Sequence, residues 1–231
     1  MSLVFAFAQN NIHQAQCVTE FGSKQSPVNI VTGQCELAEH LIDLHYEPSH
    51  EHLIHEEHCV KLDYDPGSYI VFDGDQFDFL QFHFHTPSEH HMDGDEYPLE
   101  MHMVHFRQDT MPRYLVIGLL FEEGKEDPFI KHFLNAVPET VSVADYPDLQ
   151  IDISQELMPS DFGSYYHYDG SLTTPPYTET VEWVIVSKIH TASITQIKKL
   201  EELEGPNNRK IQELKDRVIQ ECHSRTITYK F

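Results

Sequence analysis

Gln81-Phe82-His83-Phe84-His85-Thr86-Pro87-Ser88-Glu89-His90 is the stretch on which fold and chemistry both turn. Histidines alternate with phenylalanines, and on a β-strand residues two apart share a face. The alternation predicts a strand with Phe82 and Phe84 on one side and His83 and His85 together on the other. A second alternating stretch, Glu100-Met101-His102-Met103-Val104-His105, predicts a neighbouring strand that can bring His102 beside them. Three neutral imidazoles on one ion leave a tetrahedral site one open corner, the arrangement of a catalytic zinc and not of a closed structural one. Gln81 stands two places before His83, and Glu100 two before His102, so each shares its histidine's face. A metal-bound imidazole needs an acceptor for its other N–H, and these two side chains are placed to supply it. In a chain with 17 histidines a bare His-x-His arises by chance. Gln-x-His-x-His followed by Glu-x-His, both on apolar strands, is a far more restrictive pattern.

The 231 residues suffice for one large domain with a full core, and the chain reads as a single domain over 1–231. Fifteen Lys and Arg against 38 Asp and Glu give a formal charge of −23. That balance argues against nucleic acid and anionic membrane surfaces as partners. No apolar run approaches the roughly 20 residues of a membrane span. Val4 to Ala8 lacks the basic flank and length of a signal peptide. The cysteines (Cys17, Cys35, Cys59 and Cys222) form no Cys-x-x-Cys pair, so a thiolate zinc site is not indicated. Their disulfide pairing, if any, is open.

Strand-like runs dominate: 41–46, 59–64, 69–72, 77–85, 99–106, 114–121, 165–168 and 180–188, separated by turn signals such as Asp65-Pro66-Gly67 and Asp73-Gly74. Two helices are predicted. One starts at Asp127-Pro128, with Asp as N-cap and Pro in the first turn, and carries Phe129, Ile130, Phe133 and Leu134 on one face. The other starts at Ser193-Ile194-Thr195-Gln196, which fits a capping box, and stops at Gly205-Pro206. Residues 219–231 read as a tail ending in a strand-like run, 226–231. The pattern predicts a mainly β, mostly antiparallel domain with a few peripheral helices.

Four motifs occur in order: Gln25-Ser26-Pro27-Val28-Asn29-Ile30, the Gln81–His90 stretch, Glu100–His105, and Gly170-Ser171-Leu172-Thr173-Thr174-Pro175-Pro176. Together they resemble an α-class carbonic anhydrase of the bacterial kind, from about Gln25 to about Arg217. The resemblance implies a largely antiparallel ten-stranded twisted sheet with Zn2+ at the base of a conical cleft. It implies reversible hydration of CO2 to bicarbonate and a proton, by zinc-bound hydroxide and a histidine proton shuttle. CO2 and bicarbonate are then the small-molecule partners, the location is periplasmic or secreted, and a homodimer is one option for assembly. On matching residues, His83, His85 and His102 are the zinc ligands. Gln81, Glu100 and the main-chain carbonyl of Asn207 hold their outer nitrogens. Glu89 and Thr173 are the gatekeeping pair and His58 is the shuttle. Val104, Val116, Leu172, Thr174 and Trp183 line the substrate pocket. Asn208, adjacent to Asn207, competes for the carbonyl role, and Lys210 stands where the family usually has Pro.

Two departures stand out. The family's N-terminal arm carries aromatic residues near the site, whereas residues 1–22 contain no Trp or Tyr. Many bacterial relatives carry a disulfide from the region of Cys17 to the position after the Pro-Pro pair. That position is Tyr177 here, so this bridge cannot form. Three other readings compete. A zinc-storing protein would fit the histidine content, but it predicts several weak sites and not one. His83-x-His85 with Glu89 also resembles the first metal motif of the cupins, where the Glu is a ligand, but the second cupin motif is nowhere present. A carbonic-anhydrase-like binding module typically loses a zinc histidine, and here all three stand.

Overall fold

The computed structural model describes residues 22–155 and 163–223. Cys17, the N-terminal arm up to residue 21 and the strand-like run 226–231 lie outside them. Among the described residues, thirteen strands form one large sheet. In chain order they are β1 (Glu36–Ala38), β2 (Ile42–His45), β3 (Ser49–Glu56), β4 (Cys59–Asp63), β5 (Tyr69–Phe72), β6 (Asp75–His85) and β7 (Leu99–Arg107). After these come β8 (Arg113–Glu123), β9 (Ser142–Ile151), β10 (Tyr165–Gly170), β11 (Val181–Val186), β12 (His190–Ala192) and β13 (Gln220–Cys222). Ten of them follow one path, β9-β3-β4-β6-β7-β8-β11-β10-β13-β1. The path is parallel at β8–β11 and at β13–β1 and antiparallel at its other junctions. The sheet is therefore mixed, since β8 and β11 are joined by a long crossover and not by a hairpin.

The pivotal strand, β6, does not alternate strictly. Phe77 and Phe79 are buried, and so are Phe82 and Phe84, a change of parity in mid-strand. Pairing with β7 slips there: Val104 opposes Gln81, whereas His105 opposes Phe79. One extra residue bulges out, and all four phenylalanines reach the same core. Beyond the bulge the opposite face carries Gln81, His83 and His85. Two helices cover the phenylalanine side. In α1 (Pro128–Ala136) Asp127 accepts from the Ile130 N–H at 2.8 Å, and Phe129, Ile130 and Phe133 are buried. In α2 (Ile194–Glu204) Ser193 and Gln196 complete the capping box, and Gly205 ends the helix at φ 66°, a left-handed value that favours glycine. A second apolar cluster, with Val116, Tyr168, Trp183 and Ile185, fills the histidine side.

Strands β3 and β9 are not evident from the sequence. The inward residues of β3 are Ser49, Glu51, Leu53 and His55, so its alternation is barely hydrophobic. β9 is a sheet edge, almost wholly exposed, and contains Pro147. Edges tolerate proline because they need not donate on both sides.

A polar pin joins β10 to β11. Glu182 accepts from His167 Nε2 at 2.8 Å and also from Arg113. The His167 hydrogen bond, aided by Arg113 and opposed by burial, holds the Glu182 carboxyl down to about 2. A depressed carboxyl stabilises the fold above its unfolded value, about 4.5, and that contribution disappears as pH falls toward 2. Glu182→Gln should lower unfolding stability at pH 7 by about 2–3 kcal/mol. Urea titrations of wild type and variant should converge as pH approaches 2. A gap that stays constant from pH 7 to pH 2 would contradict the assignment.

Candidate metal centre

β6 and β7 pair so that His102 lies directly opposite His83. Ring nitrogens of His83, His85 and His102 all come within 4.8 Å of one another. Each ring is aimed by a hydrogen bond at its far nitrogen. Gln81 Oε1 takes His83 Nδ1 at 2.9 Å, the Asn207 carbonyl takes His85 Nδ1 at 3.3 Å, and Glu100 Oε1 takes His102 Nε2 at 2.8 Å. The nitrogens left facing the cleft are His83 Nε2, His85 Nε2 and His102 Nδ1. Asn207, not Asn208, supplies the carbonyl; the Asn208 side chain donates instead to the Ser88 carbonyl at 3.2 Å.

Glu100 is fully buried and saturated. Its Oε2 accepts from the Glu89 and His90 main-chain N–H groups, and its Oε1 from His90 Nδ1 and His102 Nε2, all at 2.7–2.8 Å. Burial alone would raise this carboxyl; the His90 and His102 rings override it and hold it well below the usual carboxylate range. Burial depresses His83 well below and His85 below the ordinary imidazole value. For His102 burial is outweighed by Glu100, and the ring is raised. His90 and His105 stay out of the trio. His90 bridges Glu100 and Tyr168, and His105 contacts Tyr46 and the Leu115 carbonyl, with burial pushing it down to about 3.

Two features test whether a cation fits. His83 Nε2 and His85 Nε2 are 3.1 Å apart, and in neutral rings both carry lone pairs, because both Nδ1 atoms face acceptors. Facing lone pairs repel unless a positive centre lies between them; two nitrogens on one tetrahedral Zn2+ stand about 3.3 Å apart. Glu89 supplies the second feature. Its Oε1 accepts from the Arg209 main-chain N–H at 2.9 Å, while Oε2, buried, has no hydrogen-bond partner. Oε2 lies 3.6 Å from His85 Nε2 and 3.9 Å from His102 Nδ1. Glu89 thus turns toward the ring nitrogens, and the Thr173 hydroxyl makes no bond to it. The donor set and the orphaned oxygen both suit a divalent cation with one solvent ligand.

The trio opens on a cleft of about 1410 Å3. Val104, Val116, Leu172 and Trp183 form its apolar wall, and Thr173 and Thr174 also line it. Trp183 is fixed by its Nε1–H to the Ser171 carbonyl at 3.1 Å. His58 lies exposed in the turn between β3 and β4, on the same cleft. At Tyr177, where the implied disulfide is absent, the Arg209 guanidinium sits 3.8 Å over the ring and also donates to Gln25 and the Ser26 carbonyl. That stack ties the Thr-Thr-Pro-Pro loop to the segment holding Glu89, a role no sequence pattern marked. Lys61 was also missed. It opposes His83 on β4 and lies on the cleft, and a lone Lys in an alternating strand gives no signal.

Gly118 opposes His102 on β8. A Cβ there would meet Ile185 Cδ1 at 2.6 Å and Glu100 Oε1 at 3.0 Å. Gly118→Ala should displace Glu100 and weaken zinc binding by about tenfold or more, the scale of losses at a ligand's supporting groups. Competition with a chromophoric chelator measures it, and unchanged affinity would refute the close packing.

The sequence model of the eukaryotic-type carbonic anhydrase family matches residues 9–231. A carbonic anhydrase of Pectobacterium carotovorum is 35% identical over 203 residues, 87% of this chain and 80% of the relative. The α-carbonic anhydrase of Thermovibrio ammonificans, solved with the inhibitor sulfanilamide, superposes with TM-score 0.79 at 33% identity, covering 86% of this chain and 87% of that one. A hyperthermostable carbonic anhydrase from a hydrothermal vent chimney gives TM-score 0.78 at 38% identity, covering 87% and 88%.

Proposed function

The chain belongs to the eukaryotic-type carbonic anhydrase family, and we propose that it carries out the reversible hydration of carbon dioxide at a zinc ion held by His83, His85 and His102. One observation carries the metal assignment: three ring nitrogens, each freed by a hydrogen bond at the opposite nitrogen, converge beside an orphaned carboxylate oxygen. Zinc bound there would supply Lewis-acid activation of water, lowering its pKa from about 15.7 to about 7, a figure for which carbonic anhydrase is itself the reference case.

The protein's own groups do the rest. Gln81, Asn207 and Glu100 fix which nitrogen of each ring faces the cleft. Burial favours the neutral rings of His83 and His85, which keep their lone pairs, while Glu100 favours the charged ring of His102. Glu89 Oε2 has capacity for one hydroxyl donor, and Thr173 is the hydroxyl we assign to it. Thr173 would then accept a proton from the reacting solvent in a hydrogen bond and turn an oxygen lone pair toward the carbon. Carbon dioxide is apolar and rests against Val104, Val116, Leu172 and Trp183. The proton released leaves through His58, an imidazole at the solvent edge, the side chain suited to proton exchange near neutral pH.

Stopped-flow hydration by the zinc-loaded chain tests the reading. Chelation should abolish the rate and Zn2+ should restore it. A rate that survives chelation, or that only iron restores, would overturn it.

A further inference from the structure

Glu204 closes α2, and its side chain is buried. Its Oε1 accepts from the Val60 main-chain N–H at 2.7 Å, and its Oε2 from Asn207 Nδ2 at 3.3 Å. Val60 stands two residues after His58, just before β4 begins its pairing with β6 at Lys61 and His83. Strand pairing leaves that N–H to Glu204, and without it a buried donor would be orphaned. The main-chain carbonyl of Glu204 accepts from His58 Nδ1 at 3.2 Å, and Asn207 Nδ2 donates to the His58 carbonyl at 3.3 Å. The turn that carries His58 is therefore held by the end of α2 and the segment after it, at the His58 carbonyl, at the Val60 N–H and through the imidazole itself.

We propose that Glu204 is a positioning residue for proton release: its carboxyl seats the turn that carries His58, and its carbonyl holds Nδ1, so that Nε2 takes up and gives away the proton. This rests on His58 as the exit for the proton. A carbonyl oxygen can only accept, so the neutral ring is held with hydrogen on Nδ1 and the lone pair on Nε2. Burial pushes the Glu204 carboxyl up to about 8, against the Val60 and Asn207 hydrogen bonds. Glutamine is thus the conservative replacement, neutral and still able to accept from Val60, giving up only the longer bond from Asn207, whose Nδ2 also donates to the Phe84 and His58 carbonyls. Leucine removes the acceptor and keeps the bulk.

The experiment uses the zinc-loaded full chain carrying Glu204→Leu or Glu204→Gln, each alone and with His58→Ala. Carbon dioxide hydration is measured in weak buffer and with added imidazole, and the His58 ring is followed by 15N chemical shift. Glu204→Leu should lower kcat in weak buffer about fivefold, the worth of one ordinary hydrogen bond, while kcat/KM stays within about twofold. Imidazole should restore the rate, and Glu204→Gln should behave like wild type. In the His58→Ala background Glu204→Leu should add no further loss, because both act on one step. The 15N shifts should pass from a single tautomer to a mixture in the leucine variant. Equal falls in kcat and kcat/KM, losses that add to those of His58→Ala, or an unmoved kcat and tautomer would each overturn the proposal. If His58→Ala leaves weak-buffer kcat unchanged, His58 is not the exit and the proposal falls with that reading, whereas failure of the Glu204 variants alone leaves His58 as the exit and overturns only the role of Glu204.

Discussion

His102→Ala is expected to empty the metal centre, with zinc falling from one per chain to a small fraction and carbon dioxide hydration dropping by about 10⁴-fold or more. The ring is almost completely buried and contributes one of three converging nitrogens. Two imidazoles cannot hold the ion against solvent as three can, and among the described residues no other histidine groups with both His83 and His85. His90 is already committed to Glu100 and Tyr168. Folding should survive, because Glu100 keeps His90 and two main-chain donors after His102 is gone. Loss of one hydrogen-bond partner at a buried carboxylate costs about 1–3 kcal/mol. Metal analysis, stopped-flow rates and thermal unfolding on the same preparation separate these outcomes. A folded variant that retains stoichiometric zinc and the wild-type rate would remove His102 from the centre.

Glu89→Gln should leave the metal in place and still slow the reaction, though by less than loss of the metal does. Zinc is expected to stay at one per chain while kcat/KM falls about 10²-fold, the range of a single positioned acid–base or hydrogen-bonding group. The Arg209 main-chain N–H holds Oε1 and fixes the side chain, so an amide of the same shape keeps its place. What changes is the orphaned oxygen facing the site, which becomes either an amide group unable to accept a hydroxyl proton or a weaker acceptor. This variant also decides a structural question. Oε2 stands 3.6 and 3.9 Å from two of the converging nitrogens, close enough to ask whether it binds the ion itself, as in the cupin-like reading. If it were a ligand, zinc and activity would disappear together. A rate within about twofold of wild type would instead make the carboxylate dispensable.

The features that build the centre are local, and local features are legible in a sequence. Phe82 and Phe84 alternating with His83 and His85 mark a strand with two chemistries on its two faces. Both helices carry their own start signals, at Asp127-Pro128 and Ser193–Gln196, and the second its stop at Gly205. What stayed hidden depends on partners far along the chain. The inward Glu51 and His55 of β3 make sense only against the two helices, where Glu51 meets His132 and His55 meets the Leu203 carbonyl. The bulge at Leu80–Gln81 is visible only against β7. The parallel junction of β8 with β11 joins segments that no turn links. At the centre, the converging histidine trio and its side-chain acceptors are legible in the spacing, and the four-motif resemblance points to the contact of the Asn207 carbonyl with His85. Glu204, Lys61, Gly118 and the Arg209–Tyr177 stack are not legible there, because each matters through a neighbour on another element of the chain, as with Val60 for Glu204 or Ile185 for Gly118.

The most direct measurement is a crystal structure of the zinc-loaded chain with anomalous differences collected at the zinc edge. One peak is expected, bonded at about 2.0–2.1 Å to His83 Nε2, His85 Nε2 and His102 Nδ1, with a non-protein oxygen in the fourth position. A peak elsewhere, or a fourth position filled by Glu89 or any other side chain, would contradict an open catalytic zinc in this protein.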